Sequence, residues 1–257
     1  MVRTPTIALQ LWSVRELIAH DLEATLMAVR AIGYEAVELA GLAGHTPAQW
    51  QAALTATGLR VVGAHVPLDQ LTDARNRVID DLRTIGCPRV VLPWIPPVWR
   101  TSLKTARELA ATMDGIAYEF RAQGIAFAYH HEDYDFQQLT DPGINMTLWQ
   151  TLVDATSPAW VQLQLDLVSA QLAGMDLRAL VQQSAGRAVS LHLCDLRAGR
   201  YAVIGTGEID WGDVLGAAAA TGIGELVIEH DAPPRPLVDV AASLRGLRSM
   251  LAGIAGY

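Results

Sequence analysis

The 257-residue sequence has few cysteines and no run of basic residues, and both shortages limit what the protein can be. Its two cysteines, Cys87 and Cys194, form neither a disulfide framework nor a Cys-x-x-Cys zinc motif, which favours a reducing, cytoplasmic location. The formal net charge of −8 argues against binding to a phosphate backbone, which needs clustered Lys and Arg. We therefore expect no nucleic-acid partner.

Long uncharged apolar stretches are also missing. Charges or prolines interrupt each apolar stretch before it reaches membrane-spanning length, and residues 1–5 lead into a run too short for a signal peptide. We therefore expect no membrane partner. With 51% hydrophobic and 18% charged residues, the sequence instead predicts a core-rich globular protein, organised as one domain over residues 1–257.

Eight short apolar stretches alternate with segments of helical periodicity along the whole chain. Eight strand–helix units predict a single (β/α)₈ TIM barrel of the α/β class. The alternative, a doubly wound open sheet, often carries a glycine-rich turn after its first strand, where this chain has Leu11-Trp12-Ser13-Val14. The predicted strands cover residues 7–12, 36–40, 59–66, 88–94, 125–130, 161–166, 190–195 and 225–229. The main predicted helices cover residues 21–32, 46–57, 72–85, 102–122, 146–155, 177–185, 210–221 and 238–254.

Polar side chains occur late on the last three predicted strands, on the face opposite the leucines. Asp166, His192 and Glu229 belong to strands six, seven and eight, so they should meet at the carboxyl-terminal mouth of the barrel. Two carboxylates and an imidazole suit Mn²⁺, Mg²⁺ or Co²⁺, with Zn²⁺ as a further candidate. Because two carboxylates side by side in a barrel are costly without a cation, the sequence predicts one divalent metal there.

Six further residues are candidates for substrate contact, four late on strands one to four and two after strand seven. Each also has an ordinary structural interpretation, as a residue that pairs with a neighbour, fills the barrel or is solvated. The six are Gln10, Glu38, His65, Trp94, Arg197 and Arg200. Trp94 and Trp12 are predicted either to stack on a sugar ring or to pack in the core.

A series of short motifs follows the order of the predicted strands. The motifs occupy residues 10–15, 33–38, 64–66, 129–136, 165–166, 192–195, 205–211 and 228–231. Together they resemble the sugar phosphate isomerase/epimerase family, the xylose isomerase-like TIM barrels. Within them, Tyr129-His130-His131-Glu132 is similar to the Tyr-His-Asn-His signature of that family.

The resemblance implies one divalent metal, most often Mn²⁺, held by residues from strands five to eight. Asp166, His192 and Glu229 match three of those ligand positions, and His130 occupies the strand-five position. Glu132, one pleat further on, is the alternative carboxylate for strand five. The chain departs from the family at Cys194, where Lys is common, and at Ser169, where many epimerases have His.

The implied chemistry is proton transfer next to a carbonyl of a sugar or polyol, through an enediolate, in an isomerase or epimerase. Glu229 is the candidate base, and His130 or Glu132 would return the proton. Three alternatives remain open: a dehydratase or lyase of a keto-inositol or keto-sugar, a non-catalytic sugar-binding barrel, and a related apurinic endonuclease. The acidic balance disfavours the endonuclease. The sequence leaves a homo-oligomer open.

Overall fold

The computed structural model describes residues 4–143 and 145–254, and its centre is a closed barrel of eight parallel strands. The prediction of a (β/α)₈ barrel is therefore confirmed; residues 1–3 and the end of the predicted domain at 257 lie outside the described residues. A short antiparallel hairpin, β8 and β9, is inserted before the last barrel strand. In chain order the strands are β1 (Thr6–Gln10), β2 (Ala36–Ala40), β3 (Arg60–His65), β4 (Arg89–Leu92), β5 (Ala126–His130), β6 (Val161–Asp166), β7 (Ala188–Leu193), β8 (Asp195–Arg197), β9 (Arg200–Ala202) and β10 (Glu225–Ile228).

Helices cover the outside of the barrel, and side chains at their first residues fix where several of them begin. Thr46 and Ser102 each form a capping box, and Asp210 accepts the amide hydrogen of Asp213. The helices are α1 (Arg15–His20), α2 (Leu22–Ile32), α3 (Pro47–Thr57), α4 (Leu68–Asp73), α5 (Arg75–Ile85), α6 (Leu103–Ala122), α7 (Leu148–Ala155), α8 (Leu167–Leu172), α9 (Leu177–Gln183), α10 (Trp211–Thr221) and α11 (Pro236–Leu251). Within the described ranges, none is both long enough and apolar enough to cross a bilayer.

The helical predictions need correction at three places. The helix predicted over residues 72–85 is two helices, because the chain starts helical winding earlier, after Pro67, and leaves it at Ala74, with φ −123° and ψ 24°. The short helices α1 and α8 were not predicted; α8 begins directly after strand β6, with Asp166 as its cap. All three differences follow the carboxyl-terminal ends of strands β1, β3 and β6.

The two faces of the strands have different neighbours, as the alternation predicts. Leucines on one face, such as Leu191 and Leu193, are fully buried in the large core with the helices. Burial of each such leucine stabilises the fold by about 2 kcal/mol. Inside the barrel a small apolar layer separates its two ends; its members are Ala8, Ala36, Val62 and Val227.

The amino-terminal end of the barrel interior carries an ion pair. Arg89 Nη1 lies 2.5 Å from Glu225 Oε2, and its Nε donates to Gln162 Oε1 at 3.2 Å. These residues are early on their strands, so they lie on the opposite side of the apolar layer from the polar residues of the mouth. The pair contributes to the barrel and is remote from the site described next.

Candidate metal centre

Four side chains from consecutive barrel strands converge at the carboxyl-terminal mouth. His130 ends β5, Asp166 ends β6, His192 is next to last on β7, and Glu229 directly follows β10. Asp166 is paired with His192 across the sheet, and Glu229 N–H donates to Leu193 O at 2.9 Å, which sets their heights. One donor atom from each of the four side chains lies within 4.8 Å of the others. The four together are called the mouth cluster below.

His192 is held between two carboxylates. Its Nδ1 lies 2.7 Å from Glu229 Oε2, and its Nε2 lies 2.7 Å from Glu38 Oε2. Burial opposes a charge on this ring, but Glu38 and Glu229 raise the pKa of His192 to about 10. The raised pKa and the short Nδ1–Glu229 contact favour a protonated ring in the metal-free protein, and a divalent cation held by His192 and Glu229 would compete with that proton. The Nε2–H bond to Glu38 would persist, as in carboxylate–histidine–metal arrangements.

Gln164 fixes the tautomer of His130. His130 Nδ1 lies 3.0 Å from Gln164 Oε1, an acceptor, so Nδ1 carries the hydrogen and the Nε2 lone pair stays available. Burial lowers the pKa of His130 well below its usual range, and the neighbouring His192 and His65 lower it further. His130 is therefore a neutral imidazole, the form in which histidine binds metals.

Asp166 is fixed through both its backbone and its side chain. Its amide hydrogen is donated to His131 Nε2 at 3.2 Å, and its Oδ1 accepts the Ser169 amide hydrogen at 2.5 Å as the cap of α8. Burial raises the pKa of Asp166 to about 6; His192 opposes this rise and Glu229 adds to it. Burial, Asp166 and Glu229 also raise the pKa of Glu132 to about 8. Crowded, buried carboxylates with a neutral imidazole form a donor set that fits a divalent cation.

Glu38, Gln10 and His65 lie below the mouth cluster, and of these three only His65 reaches the cavity wall. Glu38 is fully buried and accepts hydrogen bonds from Gln10 Nε2, Gln164 Nε2 and His192 Nε2, with His65 Nε2 at 3.1 Å. Burial opposes ionisation of Glu38, but His65 and His192 hold its pKa well below the usual range. The structure thus places Glu38 beneath the mouth cluster, buried and away from the cavity wall.

A cavity of about 590 Å³ opens above the mouth cluster, within the usual size for a small-molecule site. Trp12 and Trp94 line it, with 42% and 43% of their surface exposed. Trp12 Nε1 donates to Asp231 Oδ1 at 2.7 Å, which brings that acid to the wall. Glu132, which accepts a hydrogen bond from Ser169 Oγ at 3.3 Å, also lines the cavity.

The two predicted arginines lie on the hairpin after β7 and do not reach the cavity. Arg197 and Arg200 are paired across the hairpin and exposed to solvent, and neither lines the cavity. Tyr201, the next residue, does line it. Tyr201 and Asp231 are cavity residues that sequence reasoning missed; Asp231 follows Glu229 by two residues, so the alternation beyond β10 was the available signal.

Asp195 organises the loop that follows the hairpin. Its Oδ2 accepts the amide hydrogens of Gly205 and Gly207 at 2.8 and 3.0 Å and the indole hydrogen of Trp211 at 3.0 Å. Gly207 packs so closely against the Asp195 carboxylate that a Cβ there would overlap it. The Gly-Thr-Gly segment, residues 205–207, is therefore wrapped around Asp195.

Comparisons with known proteins agree with this architecture. Residues 26–250 match the family model described as xylose isomerase-like TIM barrel. Similar solved structures include a sugar phosphate isomerase/epimerase from Parabacteroides distasonis, with 20% identity, a TM-score of 0.84, and 95% of this chain and 98% of that one covered. An L-ribulose 3-epimerase has 16% identity, a TM-score of 0.74, and coverage of 98% and 95%.

The IolI protein, solved with a bound zinc atom, is also similar, with 13% identity, a TM-score of 0.71, and coverage of 98% and 100%. No relative is found among curated protein sequences. At identities this low, the similar structures establish the fold alone, and the chemistry must be argued from the residues of this chain.

Proposed function

This chain belongs to the xylose isomerase-like TIM barrel family, and from that premise we propose that it is a divalent-metal-dependent isomerase or epimerase of a sugar or polyol. The observation that carries the proposal is the mouth cluster, four side chains whose donor atoms lie within 4.8 Å of one another at the floor of the cavity. Polar residues with a purely structural role in a barrel satisfy one another's hydrogen bonds. The mouth cluster also places carboxylates close together beside an open cavity.

His130, Asp166, His192 and Glu229 would hold one cation, with Mn²⁺ the best fit to two imidazoles and two carboxylates and Mg²⁺, Co²⁺ or Zn²⁺ as alternatives. A bound divalent cation would supply Lewis-acid stabilisation of the negative charge that develops on the substrate oxygens. Glu38 keeps His192 oriented through its Nε2, and Gln164 keeps His130 in the tautomer that can bind.

Two acids stand on different sides of the cavity and could move the proton. Glu229 follows β10, and Glu132 follows β5, three strands away around the barrel. We assign Glu229 as the base that removes the proton next to the carbonyl. Glu132, oriented by Ser169 Oγ, or His130 would return it. Return from the opposite face inverts the carbon, and return to the neighbouring carbon moves the carbonyl.

Proton exchange in D₂O tests this assignment. Metal-loaded protein is incubated with ketoses and inositol ketones, and loss of the proton next to the carbonyl is followed by NMR. We expect exchange with at least one compound, with new sugar isomers as products. Appearance of a dehydrated product would instead identify the dehydratase, and absence of exchange with every compound would contradict the proposal.

Two variants separate metal binding from proton transfer. Glu229→Gln should lose both bound metal and exchange, because Glu229 is a ligand as well as the base. Glu132→Gln keeps the mouth cluster intact, so it should retain metal while conversion falls by about 100-fold or more. Glu23→Gln, at an exposed position on α2 that does not line the cavity, removes the same charge and should behave as wild type. Wild-type conversion in Glu132→Gln would remove that residue from the mechanism.

A further inference from the structure

Among the described residues, the cavity wall carries four acids and neither lysine nor arginine. Among the described residues that line it, the charged groups besides imidazoles are all carboxylates: Glu132, Asp166, Glu229 and Asp231. A divalent cation would balance two of these negative charges. The single lysine of the chain, Lys104, lies on the outer helix α6 with 83% of its side chain exposed. The part of the wall that the structure describes therefore offers no lysine or arginine to a phosphate group.

Arg15 lies next to residues of the cavity wall, but its guanidinium group contacts the Trp12 ring and backbone oxygens. Its guanidinium carbon is 4.2 Å from the ring centroid of Trp12, and its Nη1 donates to the backbone oxygens of Trp12 and Asp231 at 2.9 and 2.7 Å. Arg15 thus contacts two residues of the wall and is not itself among the residues that line the cavity. Its contacts hold Asp231, another negative charge, at the wall.

The loop after β7 is the place where TIM barrels commonly bind phosphate through backbone amides. In this chain the Asp195 carboxylate accepts the amide hydrogens of that loop in place of a phosphate. Gly205 and Gly207 donate their amide hydrogens to Asp195 Oδ2, and Ile209 donates to Oδ1 at 3.3 Å. Because a carboxylate already fills the nest of amides, a phosphate could enter only by displacing it and breaking the hydrogen bond from Trp211 as well.

The remaining wall suits a neutral, hydroxyl-rich molecule. Carboxylates accept hydrogen bonds from hydroxyl groups, and the exposed rings of Trp12 and Trp94 offer apolar faces to the C–H side of a sugar. We propose that the site takes an uncharged polyhydroxylated carbonyl compound, a free ketose or a cyclic polyol ketone, and rejects phosphate esters. This inference rests on the proposed function and narrows it to a substrate class.

Matched pairs of substrates test the inference. Metal-loaded protein is given D-fructose or D-fructose 6-phosphate, and D-ribulose or D-ribulose 5-phosphate. Proton exchange is followed by NMR, and binding by quenching of tryptophan fluorescence. We expect the free sugar to be preferred by about 100-fold in binding or in kcat/KM, with inorganic phosphate causing no competition; this preference equals roughly 2.8 kcal/mol.

The outcomes separate this inference from the proposed function. Free sugars that bind but show no exchange support the substrate class and overturn the isomerase. Preferred turnover of a phosphate ester overturns the substrate class and leaves the isomerase standing. If neither these pairs nor the inositol ketones bind, both fail.

A charge variant gives a second test, which works with any sugar and phosphate ester that the protein binds. Asp231→Asn removes one negative charge from the wall, so the preference for the free sugar over its phosphate ester should fall several-fold. Glu23→Gln changes the net charge equally at an exposed site on α2 and should leave the preference unchanged. An unchanged preference in Asp231→Asn, or an equal fall in both variants, would overturn the electrostatic basis of the proposal.

Discussion

Replacing Glu38 by Gln should weaken metal binding although Glu38 lies outside the mouth cluster. The Glu38 carboxylate receives hydrogen bonds from Gln10, Gln164 and His192, at 2.9, 2.9 and 2.7 Å, and His65 Nε2 lies 3.1 Å away. A glutamine amide has one oxygen and an NH₂ group, so at least one of these buried N–H donors would face another donor.

The expected magnitude follows from those contacts. A buried donor left without an acceptor costs about 1–3 kcal/mol, and loss of the charged partner of His192 adds to that cost, so we expect destabilisation of about 2–4 kcal/mol. Loss of a carboxylate that orients a metal-bound histidine typically lowers metal affinity by about 10–100-fold. The two effects are measured separately, by urea unfolding of the metal-free protein and by titration with Mn²⁺ against a chelator.

Glu225→Gln is the matched control. Glu225 is also an acid of the barrel interior, but it pairs with Arg89 at the opposite end. Its replacement should lower the free energy of unfolding, by about 1–3 kcal/mol, without changing Mn²⁺ affinity. Wild-type Mn²⁺ affinity in Glu38→Gln, alongside reduced stability, would refute the idea that Glu38 orients a metal ligand and would leave it a purely structural acid.

Two further predictions concern the packing that supports the site. Gly63→Ala should lower the free energy of unfolding in urea by about 1–3 kcal/mol, because the new Cβ would lie 2.7 Å from Glu38 Oε1. Gly115→Ala, in open space on α6, should instead raise the free energy of unfolding by about 0.5–1 kcal/mol. Equal effects of the two substitutions would contradict this prediction. Burial opposes ionisation of Asp195, but its hydrogen bonds, above all the one from Trp211, lower its pKa in the folded protein. The ionised carboxylate therefore stabilises the fold at any pH above about 4, the pKa of an aspartate in the unfolded chain. Asp195→Asn should therefore lose about 2 kcal/mol at neutral pH, and this deficit should shrink as the pH falls through the lowered pKa; a pH-independent deficit would refute it.

Side-chain alternation predicted the faces of the strands well. Strand β6 has the predicted bounds, Val161–Asp166, and Gln164 and Asp166 share the interior face as the period of two requires. The convergence of Asp166, His192 and Glu229 also followed from position alone, because late residues of parallel strands meet at the same end of a barrel.

The alternation of side chains along a strand did not predict how deep in the barrel each inward side chain lies. Glu38 and His65 are both late and both face inward, yet Glu38 is fully buried and His65 reaches the cavity. The height of a side chain depends on strand register, and the pairing of β2 with β3 shifts between Val37 and Glu38. Gly63, the partner of Glu38, leaves room for the carboxylate, which is a signal that only the paired strands reveal.

Local structure at the mouth was also harder to predict than the barrel. Helix α8 has six residues, Leu167–Leu172, so it is too short for helical periodicity to distinguish it from a loop. The hairpin of β8 and β9 turns at Ala198 and Gly199, both with positive φ, 49° and 72°. Alanine is uncommon in that conformation, so the sequence carried only a weak signal for the turn that brings Tyr201 to the cavity.

The most direct test is a crystal structure grown with Mn²⁺ and measured for anomalous scattering. We expect one strong anomalous peak at the barrel mouth, within bonding distance of His130, Asp166, His192 and Glu229, and loss of that peak in Asp166→Asn and Glu229→Gln. A peak elsewhere, or full Mn²⁺ occupancy at the mouth in both variants, would contradict the assignment of these four side chains as the ligands.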